Sequence, residues 1–119
     1  MTAPGIQFEV TASDAIGFRV RIAGEIDMAT IGALDKALAE IADAVAPGRR
    51  LVVDVAHVTF LSASGVRVLV QTGERVRCAG GAFAIDPVSP VVERVLRACG
   101  FGDVVGVVPG EPASAPPTR

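Results

Sequence analysis

Apolar and polar residues alternate near the start of the chain and predict two short strands. The alternation runs over Ile6–Val10 and again over Phe18–Ile22, with turn-forming residues at 11–15 between them. A period of two is typical of strands that bury one face and expose the other. We therefore predict an antiparallel hairpin at the edge of a sheet, with Arg19 and Arg21 protecting its exposed face.

The period changes to that of a helix in the next stretch. Apolar residues recur at spacings of three and four from Ile31 to Val45, and charged residues occupy the other side. Thr30 suits the N-cap position, and Pro47 and Gly48 suit the end of the helix. The sequence therefore predicts a first amphipathic helix between these limits.

A second strand and helix pair occupies the middle of the chain. The apolar run Leu51–Val53 predicts a central strand that is covered on both faces and ends at Asp54. A polar connection then leads to a helix whose apolar residues keep the helical period from Val66 to Val76. This helix opens at Ser62–Gly65, where unpaired N–H groups and the positive end of the helix dipole favour an acceptor or an anion. Ordinary N-capping by a serine is the alternative interpretation.

One more strand and one more helix are predicted near the end of the chain. Ala82–Ile85 is an apolar run that follows two glycines. Pro90 suits the first turn of a helix whose inner face extends to Cys99, and Gly100 suits its C-cap. Val104–Val108 is either a short last strand or an extended edge.

These elements predict one α/β domain in the order ββαβαβα, with the optional last strand. The fold is an open sandwich with a mixed sheet of four to five strands. Right-handed crossovers would place the helices between strands two, three and four mostly on one face of the sheet. We expect a flexible N-terminus at 1–5, the domain at 6–108, and a disordered tail at 109–119, because the tail is small, polar and rich in proline.

Composition limits the classes of function. The 119 residues are 50% hydrophobic and 20% charged, which is typical of one folded domain with its own core. The net charge is −2 and the chain has neither Trp nor Tyr, so direct nucleic-acid binding is not expected. No apolar run approaches the roughly 18 residues of a membrane helix, and no signal peptide pattern is present. We therefore expect a cytoplasmic protein that does not insert into membranes.

The residues of common catalytic sites are missing from the sequence. His57 is the only histidine, so a nucleophile has only one candidate base. The serines at 62–64 lack the first glycine of a G-x-S-x-G elbow, and no phosphate-binding glycine loop precedes a helix. Glu25 and Asp27 alternate across an extended segment and do not form an obvious acid–base pair. We therefore expect neither an enzyme nor a bound cofactor.

Cys78 and Cys99 are the two cysteines, and they are too few and too far apart for a zinc site of usual spacing. They end the second and third predicted helices near the inner faces, where cysteine commonly acts as a small buried hydrophobic residue. A redox-active pair is the alternative, and it requires Cα atoms within about 7 Å of each other.

A motif in the middle of the chain resembles that of a known family. Asp54–Val66 reads DVAHVTFLSASGV. It is similar to D-L-S-x-V-x-[FY]-[LIM]-D-[ST]-[ST]-G-[LIV], the signature of the STAS domain, which sulphate transporters and bacterial anti-sigma factor antagonists share. Gly24–Asp27 and Leu96–Phe101 resemble two further family patterns and occur in the same order. The resemblance covers residues 6–108 and agrees with the fold predicted above.

The resemblance implies a function in transcription regulation. A stand-alone STAS domain of this size resembles an anti-anti-sigma factor, which binds an anti-sigma factor with a GHKL-type serine kinase domain and so releases a sigma factor. The chain would act as a monomer or a weak homodimer in a bacterial stress response. A scaffold subunit of a stress-sensing complex or of a lipid-transport ATPase is the alternative. The implied docking surface consists of Asp27, Ser62, Ala63, Ser64, Gly65 and Val66.

The chain departs from the family at the residue that is usually phosphorylated. Aligned on Gly65, the acidic position of the motif is Ser62, the phospho-acceptor position is Ala63, and the next small residue is Ser64. Alanine has no hydroxyl group to phosphorylate. Three interpretations follow: the protein is always competent to bind, Ser62 or Ser64 is a displaced acceptor, or regulation has moved elsewhere, for instance to the cysteines.

Overall fold

The fold is a mixed sheet of five strands with three helices in the part of the chain that the computed structural model describes, residues 2–3, 5–13 and 17–100. The elements are β1 Thr2–Ala3, β2 Ile6–Ser13, β3 Gly17–Ile26, α1 Ile31–Ala44, β4 Arg50–Leu61, α2 Ala63–Cys78, β5 Ala82–Val88 and α3 Pro90–Ala98.

The strands lie in the sheet in their order along the chain. β1, β2 and β3 pair antiparallel, whereas β3, β4 and β5 pair parallel. The predicted α/β class, the mixed sheet and the order ββαβαβα are confirmed. The fifth described strand is β1, which lies within the segment predicted as a flexible N-terminus and pairs with Ile6 and Gln7. The optional strand at Val104–Val108 and the tail at 109–119 lie outside the described residues.

β4 is longer than predicted, because the strand does not end at Asp54 but continues to Leu61. The predicted polar connection is therefore wrong, and His57 is an exposed residue of this strand. The register with β3 shifts between Arg21 and Ala23, which pair with Asp54 and His57. Two steps along β3 thus match three along β4, which is the geometry of a β-bulge. The bulge breaks the alternation of side chains, and for this reason the sequence pattern resembled a loop.

Asp54 is a buried carboxylate at this bulge. Its Oδ1 accepts a hydrogen bond from the backbone N–H of Ala56 at 3.0 Å. Its Oδ2 lies 3.4 Å from Nη2 of Arg19 and 3.8 Å from Nε of Arg21, while its side chain is only 7% exposed. The carboxylate therefore accepts from the bulge backbone and pairs with both arginines that were predicted to protect the hairpin.

The core covers β4 on both faces, as predicted. Leu51–Val55 are all buried although successive side chains of a strand point to opposite faces. α1 and α2 pack against each other, as helices on one face of the sheet must, and α3 packs against β4 with Val92 and Leu96 fully buried. Burial of these side chains stabilises each by roughly 1.5–3 kcal/mol relative to exposure.

Gly65 and Gly73 allow α2 to approach the sheet closely. A Cβ atom at Gly65 would lie 2.6 Å from Cγ2 of Ile26 and 2.6 Å from Cδ1 of Leu61. A Cβ atom at Gly73 would lie 2.6 Å from Cδ2 of Phe83. These distances are shorter than carbon–carbon contacts allow, so the position of α2 depends on both glycines.

Candidate docking surface

Ser62 caps the N-terminus of α2. Its backbone is extended, with φ −79 and ψ 166, and its Oγ accepts a hydrogen bond from the N–H of Gly65 at 3.1 Å. The carbonyl oxygen of Ser62 accepts the first helical bond, from Val66 at 3.0 Å. The N-cap interpretation of this serine is thus confirmed, and its hydroxyl oxygen serves the helix itself.

The residues after the cap differ in exposure. Ala63 and Ser64 are exposed in the first turn of α2, whereas Gly65 is buried and Val66 is only 3% exposed. A partner protein can therefore touch Ala63 and Ser64 directly. Gly65 and Val66 would act by holding the turn against the sheet.

Asp27 organises the connection between β3 and α1. Its Oδ1 accepts hydrogen bonds from the N–H groups of Ala29 at 2.9 Å and Thr30 at 3.2 Å. Thr30 occupies the predicted N-cap position of α1 but makes no side-chain cap bond to the helix. Its buried hydroxyl instead donates to the carbonyl oxygen of Glu25 at 2.8 Å and accepts from the N–H of Asp27 at 2.9 Å. These bonds fix the shape of the connection at the end of β3.

The two segments of the docking surface lie side by side. The N–H of Ser62 donates to the carbonyl oxygen of Ile26 at 2.9 Å, which joins the start of α2 to the residue before Asp27. β3 and β4 are parallel neighbours, so their carboxyl ends meet at the same edge of the sheet. The structure thus brings together the residues that the motif comparison selected from two distant parts of the sequence.

The sequence did not predict two exposed apolar residues that lie close along the chain to the two ends of this hydrogen bond. Met28 follows Asp27 and is 83% exposed, and Phe60 precedes Leu61 and is 48% exposed. Large apolar side chains on a surface often mark an interaction site when they lie next to one another or to a functional segment. Met28 had a signal in the sequence, since it is an apolar residue outside both the strand and the helix period. Phe60 also had a signal, since it matches the [FY] position of the motif, but its exposure was not predicted because it lay within the predicted connection.

Cys78 and Cys99 are free and exposed, so their predicted burial is wrong. Cys78 is the last residue of α2, at the opposite end from Ser62, and Cys99 follows α3 as its C-cap residue. Cys99 follows the buried Leu96 by three residues, but it is exposed although its N–H still donates to the carbonyl oxygen of Val95 at 3.0 Å. A redox pair formed by the two thiols stays a prediction.

No group of three or more His, Cys, Asp or Glu side chains is arranged to hold a metal ion within the described ranges. Of the helices in the same ranges, none is both long enough and apolar enough to cross a membrane.

Comparisons with known proteins agree with the geometry. The family model described as STAS domain matches residues 7–113. RsfB of Mycobacterium tuberculosis, an anti-sigma-F factor antagonist, is 39% identical over 78 residues, which cover 64% of this chain and 61% of RsfB. The chain thus spans about three fifths of the length of that relative. RsfA, named likewise and from the same organism, is 33% identical over 86 residues, which cover 72% of this chain and 67% of RsfA.

A solved structure is similar over nearly the whole chain. The crystal structure of an anti-sigma factor antagonist from Mycobacterium paratuberculosis has a TM-score of 0.74 and 28% identity. The similarity covers 96% of this chain and 95% of that one. The family match over residues 7–113 includes Asp27 and residues 62–66 as well as the core.

Proposed function

This chain belongs to the STAS domain family, and we propose that it is an anti-sigma factor antagonist. In this role it binds an anti-sigma factor and frees a sigma factor for transcription. The proposal is supported by the similarity of the chain to RsfB and RsfA, which are anti-sigma-F factor antagonists. It is carried by one observation of the structure: the exposed turn Ala63–Ser64 lies beside the Asp27 connection, and a backbone hydrogen bond joins the two segments.

This geometry suits a binding protein. Both segments are held by hydrogen bonds within the chain, so little conformational entropy is lost when a partner covers them. Met28 adds an exposed apolar side chain next to the polar turn. A mostly polar surface that includes an exposed apolar side chain is typical of reversible protein–protein interfaces.

We propose further that the partner carries a GHKL-type kinase domain and that both proteins act in the bacterial cytoplasm. The chain itself would contribute a surface and no catalytic group. Its regulation would differ from that of relatives with a hydroxyl at the acceptor position, because Ala63 offers no oxygen for a phosphate. Phosphorylation at residue 63 would then not regulate binding.

Ser64 is the better candidate for a displaced acceptor. Its side chain is exposed, whereas the oxygen of Ser62 already accepts the cap bond from Gly65. A phosphate at either position would add roughly −1.5 to −2 charges at neutral pH. On Ser62 it would also disturb the cap, so phosphorylation there would affect the helix as well as the interface.

The test begins with the partner. Tagged wild-type chain is used to recover proteins from a lysate of the bacterium that makes it, and an anti-sigma factor identified by mass spectrometry is then purified. Isothermal titration calorimetry compares wild type with Ala63→Glu, in which a charged side chain occupies the centre of the docking surface. We expect the affinity to fall by at least about tenfold, because a carboxylate buried at an interface without a partner is costly. Recovery of a transporter ATPase in place of an anti-sigma factor would support the scaffold alternative.

A matched control is available on β2. Ala12 is also exposed, but it pairs with Phe18 near the start of β3, at the opposite end of the sheet from Ile26. Ala12→Glu should leave the affinity unchanged. Ala63→Glu should melt at or above the wild-type temperature, because an acidic residue in the first turn interacts favourably with the helix dipole. Equal affinities of Ala63→Glu and wild type would overturn the docking surface.

A further inference from the structure

A surface groove of about 580 Å³ runs between α1 and α2. Gly32, Asp35, Lys36 and Ala39 line it from α1, and Gln71, Thr72 and Arg75 line it from α2. Apart from Gly32 and Ala39 these residues are polar. The hydroxyl of Thr72 is satisfied, since it donates to the carbonyl oxygen of Val68 at 2.7 Å.

On α1, the groove begins five residues after Asp27 of the docking surface. Gly32 lies in the first turn of α1, two residues after Thr30, which hydrogen-bonds to the backbone of Asp27. Gln71 follows Ser64 by seven residues on α2, a spacing that places the two side chains on the same side of the helix. A partner that covers Ser64 and Asp27 is therefore directed along the groove.

Gly32 has no role in the fold that requires a glycine. A Cβ atom built there meets no described atom within 4 Å, and Gly32 is not among the described glycines with positive φ. The two other glycines within described helices differ, since a Cβ at Gly65 or Gly73 would lie 2.6 Å from a neighbouring side chain. Glycine is also the least favourable residue in a helix after proline. Alanine would thus be accepted at position 32 and would stabilise α1.

We propose that a polar segment of the anti-sigma factor lies in this groove and that its backbone approaches α1 closely at Gly32. This inference rests on the proposed function and extends the docking surface along both helices. The lining requires hydrogen-bonding groups on the partner segment and a small side chain opposite Gly32. The ion pair of Arg75 with Asp43 does not obstruct such a segment, because it is long, at 3.9 Å, and exposed on both sides.

The experiment is a pair of substitutions on α1, measured by calorimetry against the anti-sigma factor purified as above. Gly32→Gln puts a neutral, helix-favouring side chain into the groove. Ala44→Gln puts the same side chain at the exposed last residue of α1, outside the lining. We expect Gly32→Gln to bind the anti-sigma factor at least about tenfold more weakly than wild type, because the added side chain would overfill a close contact. Its melting temperature should be no lower than that of the wild type. Ala44→Gln should bind like wild type.

The outcomes separate this inference from the proposed function. If the wild type binds the anti-sigma factor and Gly32→Gln binds equally well, the groove is not part of the interface, although the proposed function stands. If the wild type does not bind an anti-sigma factor, both the function and the groove assignment are wrong. Gly32→Ala is a control for loss of binding through misfolding. It should raise the melting temperature and still weaken binding. A loss of affinity confined to variants that melt lower than wild type would overturn the inference.

Discussion

The backbone N–H of Ser62 donates to the carbonyl oxygen of Ile26 at 2.9 Å, and this bond holds the two halves of the docking surface together. Ile26 precedes Asp27 and Ser62 precedes Ala63, so neither exposed segment can move far without breaking it. Leu61 and Ile26 also contact α2 from below, at Gly65. The docking surface is therefore a rigid extension of β3 and β4.

Gly65→Ala should lower the stability of the domain by about 1 kcal/mol, with a lower melting temperature in a calorimetric scan. The added methyl group gains helix propensity, but it would lie 2.6 Å from Cγ2 of Ile26. Ile is branched at Cβ and has little rotamer freedom to move aside, so the clash outweighs the propensity. Gly32→Ala is the control, because its Cβ meets no described atom within 4 Å, and it should not destabilise. An equal effect of the two substitutions would contradict the tight packing of α2.

Asp54→Ala should destabilise by about 1–2 kcal/mol in urea unfolding. The larger part of this cost is the lost acceptor for the N–H of Ala56 at the bulge, because Arg19 and Arg21 are partly exposed and water can solvate them again. Asp43→Ala is a matched control, since its pair with Arg75 is 3.9 Å long and its own side chain is 71% exposed. The control should change stability by less than about 0.5 kcal/mol. If Asp54→Ala were as mild, the carboxylate would not support the bulge.

Ser62→Ala should cost about 1 kcal/mol of stability, because the N–H of Gly65 loses its cap acceptor. Ser64→Ala should be neutral or slightly stabilising, since Ser64 is exposed within the helix and alanine has the higher helix propensity. The two unfolding free energies, measured side by side, distinguish a capping serine from a surface serine. A larger loss at Ser64 would reverse this assignment.

Met28→Ser should weaken binding to the anti-sigma factor by about fivefold or more and leave the melting temperature unchanged. The side chain is 83% exposed in the free protein, so its apolar surface contributes energy only when a partner covers it. Val10→Ser removes an exposed apolar side chain from β2 and should not alter the affinity. Wild-type affinity in Met28→Ser would place the apolar contact elsewhere.

Ala63→Ser should create a phosphorylation switch. With ATP and a kinase-type anti-sigma factor, we expect this variant to gain phosphate at residue 63 and to leave the complex, whereas the wild type remains bound. The new phosphate would lie at the N-terminus of α2, where the helix accepts an anion without unfolding while the interface does not. Peptide mass spectrometry locates the phosphate, and size-exclusion chromatography shows whether the complex persists. Release of the wild type, with phosphate on Ser64, would show instead that the acceptor is displaced.

The sequence by itself determined the elements whose pattern is local. The period of α2 and its start within Ser62–Gly65 follow from spacings within one short stretch, and the same holds for each other strand and helix whose order was predicted. Covalent geometry turns such spacings directly into faces of a helix or a strand. The motif around Gly65 also selected the residues that we propose as the docking surface. Position 63 required no structure, because the absence of a hydroxyl is a property of the residue itself.

Only the tertiary structure decided which of these residues are accessible and what lies beside them. The bulge at Asp54 depends on the register of β4 with Arg21 and Ala23, which are distant in sequence. The exposure of Cys78 and Cys99 was not evident from the helical period, and the contact of Ser62 with Ile26 depends on parallel pairing. Local patterns do not encode such pairings, because their energy comes from side chains and backbone groups that meet only after the chain has folded.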